Sequence, residues 1–81
     1  MRLPRDLSGE QLAAGLRRFG YEQTRQTGSH LRLTRDTPEG QHHVTIPRHG
    51  VLRVGTLNAI LNEIASHLGV DRAELLKQIS R

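Results

Sequence analysis

Two short alternating runs, Leu31-Arg32-Leu33-Thr34 and Val44-Thr45-Ile46, limit what this chain can fold into more than any other feature. Successive side chains of a strand point to opposite faces, so each run has one apolar and one polar side. Gathering the four aliphatic residues on one face requires an antiparallel register with Leu33 opposite Val44 and Leu31 opposite Ile46. A slip of one residue would turn every one of them into water. This register closes a four-residue loop over residues 37–40 and leaves His30, Arg32, Thr34, His43 and Thr45 together on the wet face. Strands are expected over residues 30–35 and 41–47. The Asp36-Thr37-Pro38-Glu39-Gly40 stretch between them has turn composition.

The segments on either side read as the scaffold for this hairpin. Ser8 has the capping-box spacing with Gln11, and Leu12, Ala13, Leu16 and Phe19 follow at helical intervals up to Gly20. Residues 21–27 are rich in β-formers with little pattern, as expected of a strand with a solvated face. A second helix is expected from Gly55 or Thr56, with Leu57, Ile60, Leu61, Ile64 and Leu68 in one stripe and Gly69 beyond its end. His67 falls in its last turn, where an imidazole interacts favourably with the helix dipole. Asp71 and Glu74 repeat the capping-box spacing before Leu75, Leu76 and Ile79, which predicts a short helix over about residues 71–80. The order is helix, three antiparallel strands, helix, short helix. It forms one α+β domain over residues 1–81, with its core in about residues 8–69 and the helices on one face of the sheet.

Composition narrows the function. Aromatic content is 2%, too little for a surface that binds single strands by stacking bases on rings. Cysteine is absent, which excludes thiolate catalysis, disulfides and cysteine-bearing zinc sites. No apolar run approaches the length of a membrane span, and the first residues lack the apolar centre of a signal peptide; a cytoplasmic location is expected. The formal charge is +4, and residues 17–56 account for all of it, with seven arginines against Glu22, Asp36 and Glu39. The positive excess lies on the hairpin region, where a polyanion would be met.

Gly28-Ser29-His30 delivers a histidine to the start of the second strand. Glycine permits the tight reversal, and an imidazole beside Arg32 joins a proton carrier to a phosphate clamp. Arg25 on the preceding strand and Arg48 beyond the third can add phosphate contacts. His30 and His43 share a face but stand four strand positions, roughly 13 Å, apart. That separation disfavours a two-histidine relay on one phosphate, and His49 is the better second candidate. His42 and His43 point to opposite faces, no histidine pair has helical ligand spacing, and no metal site is expected.

The helix ending Phe19-Gly20-Tyr21, then Gly28-Ser29-His30, His43-Val44-Thr45-Ile46-Pro47 and Gly55-Thr56-Leu57 with Ile60-Leu61, resembles the HicA (YcfA-like) toxins. The resemblance runs from about Ser8 to Gly69. It implies a double-stranded-RNA-binding-domain-like fold, α-β-β-β-α, with the short C-terminal helix as an extra. It also implies a metal-independent endoribonuclease acting on messenger RNA, without a cofactor, and neutralised by a HicB-like antitoxin. The catalytic histidine of the family maps onto His30. This chain departs at Leu31, where many members have a second histidine, at Leu33, where an aromatic is frequent, and at Arg48-His49, where His-Pro is common.

On this reading His30 is the general acid or base, and Gly28, Ser29, Arg25, Arg32, Arg48 and His49 meet the nucleic acid. Two other readings use the same residues. One is an RNA-binding module without catalysis, contacting phosphates and 2′-hydroxyls through its arginines. The other is a degenerate toxin that only binds its antitoxin.

Overall fold

A computed structural model describes residues 6–48 and 50–79. The chain runs α1 (Gly9–Leu16), a single 3-10 turn (Arg17–Phe19), β1 (Tyr21–Thr27), β2 (His30–Thr37), β3 (Gly40–Pro47), α2 (Val54–Leu68) and α3 (Arg72–Ile79). The strands form one antiparallel sheet in the order β1-β2-β3. This is the expected α+β architecture, α-β-β-β-α with an added helix.

The β2–β3 register is the one required by the aliphatic residues: Leu31 pairs with Ile46, Leu33 with Val44, Arg32 with Thr45 and Thr34 with His43. Pairing also continues two residues beyond expectation, to Thr37 and Gly40, so the loop is Pro38-Glu39 alone. Proline presets the first turn angle, Gly40 takes φ +126°, and the Thr37 hydroxyl donates to the Gly40 carbonyl at 2.6 Å. The other hairpin, β1–β2, turns on Gly28-Ser29. Gly28 is at φ +55° and Ser29 is not in the left-handed region, the pattern of a II′ turn with glycine first.

Leu31, Leu33, Val44 and Ile46 are buried against Leu12, Leu16, Leu57, Leu61 and Ile64 of α1 and α2. Both halves of the Ser8–Gln11 capping box are present, at 3.1 and 2.9 Å, and start α1 where the spacing places it. Gly20 at φ +90° and Gly69 at φ +68° end the first helical segment and α2. α2 begins at Val54, slightly earlier than expected, and no side chain caps it. The segment before it is tied back to the start of the domain: Val51 bridges to Ser8, and the Leu52 amide donates to the Leu7 carbonyl at 2.8 Å. α3 buries Leu75, Leu76 and Ile79 and closes one side of the core, with the Arg18 guanidinium donating to the Gln78 carbonyl at 2.9 Å.

Two glycines are set by packing, not by turns. A Cβ on Gly9 would overlap the Pro47 carbonyl oxygen at the end of β3. One on Gly15 would lie 2.7 Å from the Ile79 Cγ2 and 2.9 Å from its carbonyl oxygen. α1 therefore rests directly on the backbone of β3 at its first turn and on α3 at its last.

Candidate active site

All helices lie against one face of the sheet, and the other face carries the even-numbered residues of β2. His30 is exposed at the start of that strand, Arg32 follows half-buried, then Thr34 and Asp36. The II′ turn fixes the backbone into His30. The Arg48 amide donates to the Ser29 carbonyl at 2.6 Å, joining the exit of β3 to the same turn. Gly28, Ser29 and His30 thus form one corner of the open face, with Arg48 bonded to it through its backbone. The Arg48 side chain points elsewhere: its Nε donates to the Glu10 carboxylate at 3.3 Å. That pair is largely solvated and contributes little to stability, and it leans the guanidinium toward α1. His49 lies outside the described residues.

Arg25 pairs directly with Arg32 across β1 and β2, and Thr45 stands on the other side of Arg32. His43 is four positions along the face from His30, as the register requires, and the two do not converge. Thr34 departs from the expected wet face: it is only 7% exposed. The reason is a β-bulge between Gln23 and Arg25, which leaves Thr24 unpaired. Its hydroxyl lies 2.7 Å from that of Thr34, which in turn lies 2.8 Å from the His43 Nδ1. Thr24, Arg25, Arg32, Thr34, Gln41 and His43 line a shallow depression of about 370 Å³.

On the helix side lies a polar cluster that the sequence did not reveal. Tyr21, Arg35 and His42 occupy one row across the three strands. The Tyr21 hydroxyl is 2.7 Å from the His42 Nδ1, and the His42 Nε2 is 3.3 Å from a Glu63 carboxylate oxygen. A proton on Nε2 serves both contacts, the tyrosine donating to Nδ1 and the imidazole to the carboxylate. His67 stacks on His42 with ring centroids 3.8 Å apart and 12° between planes. The Arg35 guanidinium donates to the His67 Nε2 at 3.3 Å and, through Nε, to the Phe19 carbonyl at 2.8 Å. His67 therefore holds α2 to the sheet, beyond any interaction with its own helix end. Burial and the neighbouring His67 lower the His42 pKa, against the opposing pull of Glu63. Burial likewise pushes the Tyr21 phenol up to about 12, with Arg35 opposing and Glu63 reinforcing it. The cluster is structural: Tyr21 is fully buried, and the row lies on the face opposite His30. The alternation of His42 and His43 was the only signal for it.

Among the described residues, no three histidine or carboxylate side chains gather as metal ligands, and no helix is long and apolar enough to cross a membrane. Neither the curated proteins nor the solved structures contain a match to the chain. A family model does match, over residues 9–65, and its description is the HicA toxin of bacterial toxin–antitoxin systems.

Proposed function

Because the chain belongs to the HicA toxin family, whose members are toxins of bacterial toxin–antitoxin systems, we propose that it is a metal-independent endoribonuclease that cleaves messenger RNA at His30. The observation that carries this reading is the open-face corner, where an exposed imidazole follows a rigid Gly-Ser turn with a guanidinium two positions along. The nucleophile comes from the substrate. The ribose 2′-hydroxyl attacks the adjacent phosphorus, the P–O5′ bond breaks, and the products carry a 2′,3′-cyclic phosphate and a 5′-hydroxyl. His30 takes the proton from the 2′-hydroxyl or supplies one to the leaving 5′-oxygen. Arg32 neutralises charge building on the phosphate oxygens, and the Ser29 hydroxyl is a further donor at the same corner. The substrate supplies the nucleophile, so DNA of the same sequence is not cut.

An antitoxin partner follows from the family, and a HicB-like protein covering the His30 face would silence the enzyme by occluding the substrate. The setting is the cytoplasm, where messenger RNA and antitoxin are both present.

The deciding experiment incubates antitoxin-free wild type and His30→Ala with a structured messenger RNA in EDTA. Expected are cyclic phosphate ends from the wild type and a rate lower by about 10²-fold or more in the variant, the scale of general acid–base catalysis. Equal cleavage by both proteins overturns the role of His30. RNA binding without cleavage by either leaves a binding module.

A further inference from the structure

The depression beside the His30 corner has features that the cleavage step alone does not require. Arg25 and Arg32 face each other across β1 and β2, and among the described residues neither makes an ion pair. Like charges directly opposite on a sheet repel, and an anion between them removes that cost. At the far side of the depression His43 is held by the Thr24–Thr34–His43 chain of hydroxyl contacts, with Thr34 buried at its centre. When the chain runs from Thr24 to His43, the Thr34 hydroxyl donates to Nδ1 and the ring proton sits on Nε2. When it runs the other way, the His43 Nδ1 carries the ring proton and donates to Thr34, Thr34 to Thr24, and Thr24 to the Arg32 carbonyl at 3.4 Å. In the first direction Nε2 is a donor, and in both the ring is held through Nδ1 by a buried hydroxyl.

The charges along the face set its extent. The arginine row lies two strand positions from His30, roughly 7 Å, and His43 four positions, roughly 13 Å. Beyond them the sign changes: Asp36 is held by the Gln41 amide at 2.9 Å, and Glu22 stands across from Thr34 on β1. A polyanion entering at His30 is thus attracted as far as Arg25, Arg32 and His43 and no farther.

We infer that Arg25 and His43, on either side of Arg32 and Thr34, form a phosphate subsite that holds the RNA backbone one to two nucleotides from the bond at His30, while Arg32 stays with the scissile phosphate. The inference rests on the ribonuclease reading for its direction, since His30 marks where the scissile phosphate lies. It assigns a function to His43, which catalysis at His30 leaves unused. It also makes recognition depend on substrate length: a dinucleoside monophosphate carries only the scissile phosphate and cannot reach the subsite.

The test has two arms, each run on wild type, Arg25→Gln and His43→Ala. The first compares kcat/KM for a dinucleoside monophosphate and for a hexanucleotide with the same central linkage, which carries two phosphates on each side of the scissile one. Wild type is expected to favour the longer substrate, and either substitution to reduce that length advantage by about tenfold, the scale of a solvated hydrogen bond to a charged group. The second measures binding of a fully 2′-O-methylated oligoribonucleotide of about eight residues, which cannot be cleaved, over a range of salt. Arg25→Gln is expected to weaken binding and to lower the salt slope by about one. Cleavage with the length advantage and salt slope unchanged in both variants overturns the subsite and leaves the ribonuclease reading standing. No cleavage, with binding still weakened by both substitutions, overturns the ribonuclease and supports the subsite. Neither cleavage nor binding by wild type overturns both.

Discussion

Replacing three helical glycines by alanine separates helix propensity from packing in this fold. In an exposed helix interior the change stabilises by roughly 0.5–1 kcal/mol, because alanine restricts the unfolded chain and favours the helix. Gly55, in the first turn of α2, meets that condition: it is exposed, and a Cβ there has no neighbour within 4 Å. Gly15 does not. Its Cβ would stand 2.7 Å from the Ile79 Cγ2, 2.9 Å from the Ile79 oxygen and 3.1 Å from its Cα, so the end of α3 has to move as a unit. Overpacking of this kind costs about 1–3 kcal/mol and outweighs the propensity gain, for a net loss of roughly 1–2 kcal/mol. At Gly9 the obstacle is the Pro47 carbonyl, fixed by the end of the sheet, and the loss is expected at about 3 kcal/mol or more. In a domain of this size each kcal/mol moves Tm by about 4–8 °C. Thermal and urea unfolding of the three variants should therefore rank Gly55→Ala above wild type, Gly15→Ala below it and Gly9→Ala lowest. A Gly9→Ala protein as stable as wild type, or Gly55→Ala and Gly15→Ala changing together, would refute the packing argument.

Stability should also fall with acid. His42 has a lowered pKa in the fold, so around and below its ordinary value near 6.5 the unfolded chain binds a proton that the folded one resists. Stability is complete above that value and is lost as pH drops toward the folded pKa; His42→Gln should flatten this part of a Tm-against-pH curve, and an unchanged curve would count against the cluster. Thr34→Val keeps the shape but leaves Thr24 and the His43 Nδ1 without their shared hydroxyl. It is expected to cost about 1 kcal/mol by urea denaturation, and a value near zero would mean that the chain of hydroxyls is not formed in solution.

Particular residues show how much of the protein could be read in advance. The capping box at Ser8, the glycine stops at Gly20 and Gly69, and the β2–β3 register are local matters of spacing and period. Each was legible in the sequence, as was the placement of His30 after a glycine turn. The structure differs from the sequence expectation at the loop over residues 37–40, where pairing runs to Gly40, and in the exposure of Thr34. His67 lies in the last turn of its helix as its position predicts, and in addition it stacks on His42. The contact of the Arg48 guanidinium with Glu10 is likewise not announced by any local pattern. All of these but the loop depend on a residue distant in the chain that no periodicity identifies.

The two-residue period of the strands and the helical stripes determined by themselves which side chains face the core and which face water. They therefore determined the open face on which His30, Arg32 and His43 stand. Local sterics and the cost of exposing leucine, isoleucine and valine settle those questions without reference to the rest of the chain. Only the tertiary structure decided where α1 touches β3 and α3, that a bulge brings Thr24 to Thr34, and that α2 lays His67 on His42. Those outcomes depend on distances between separately formed elements, and such distances are set by how the whole core closes.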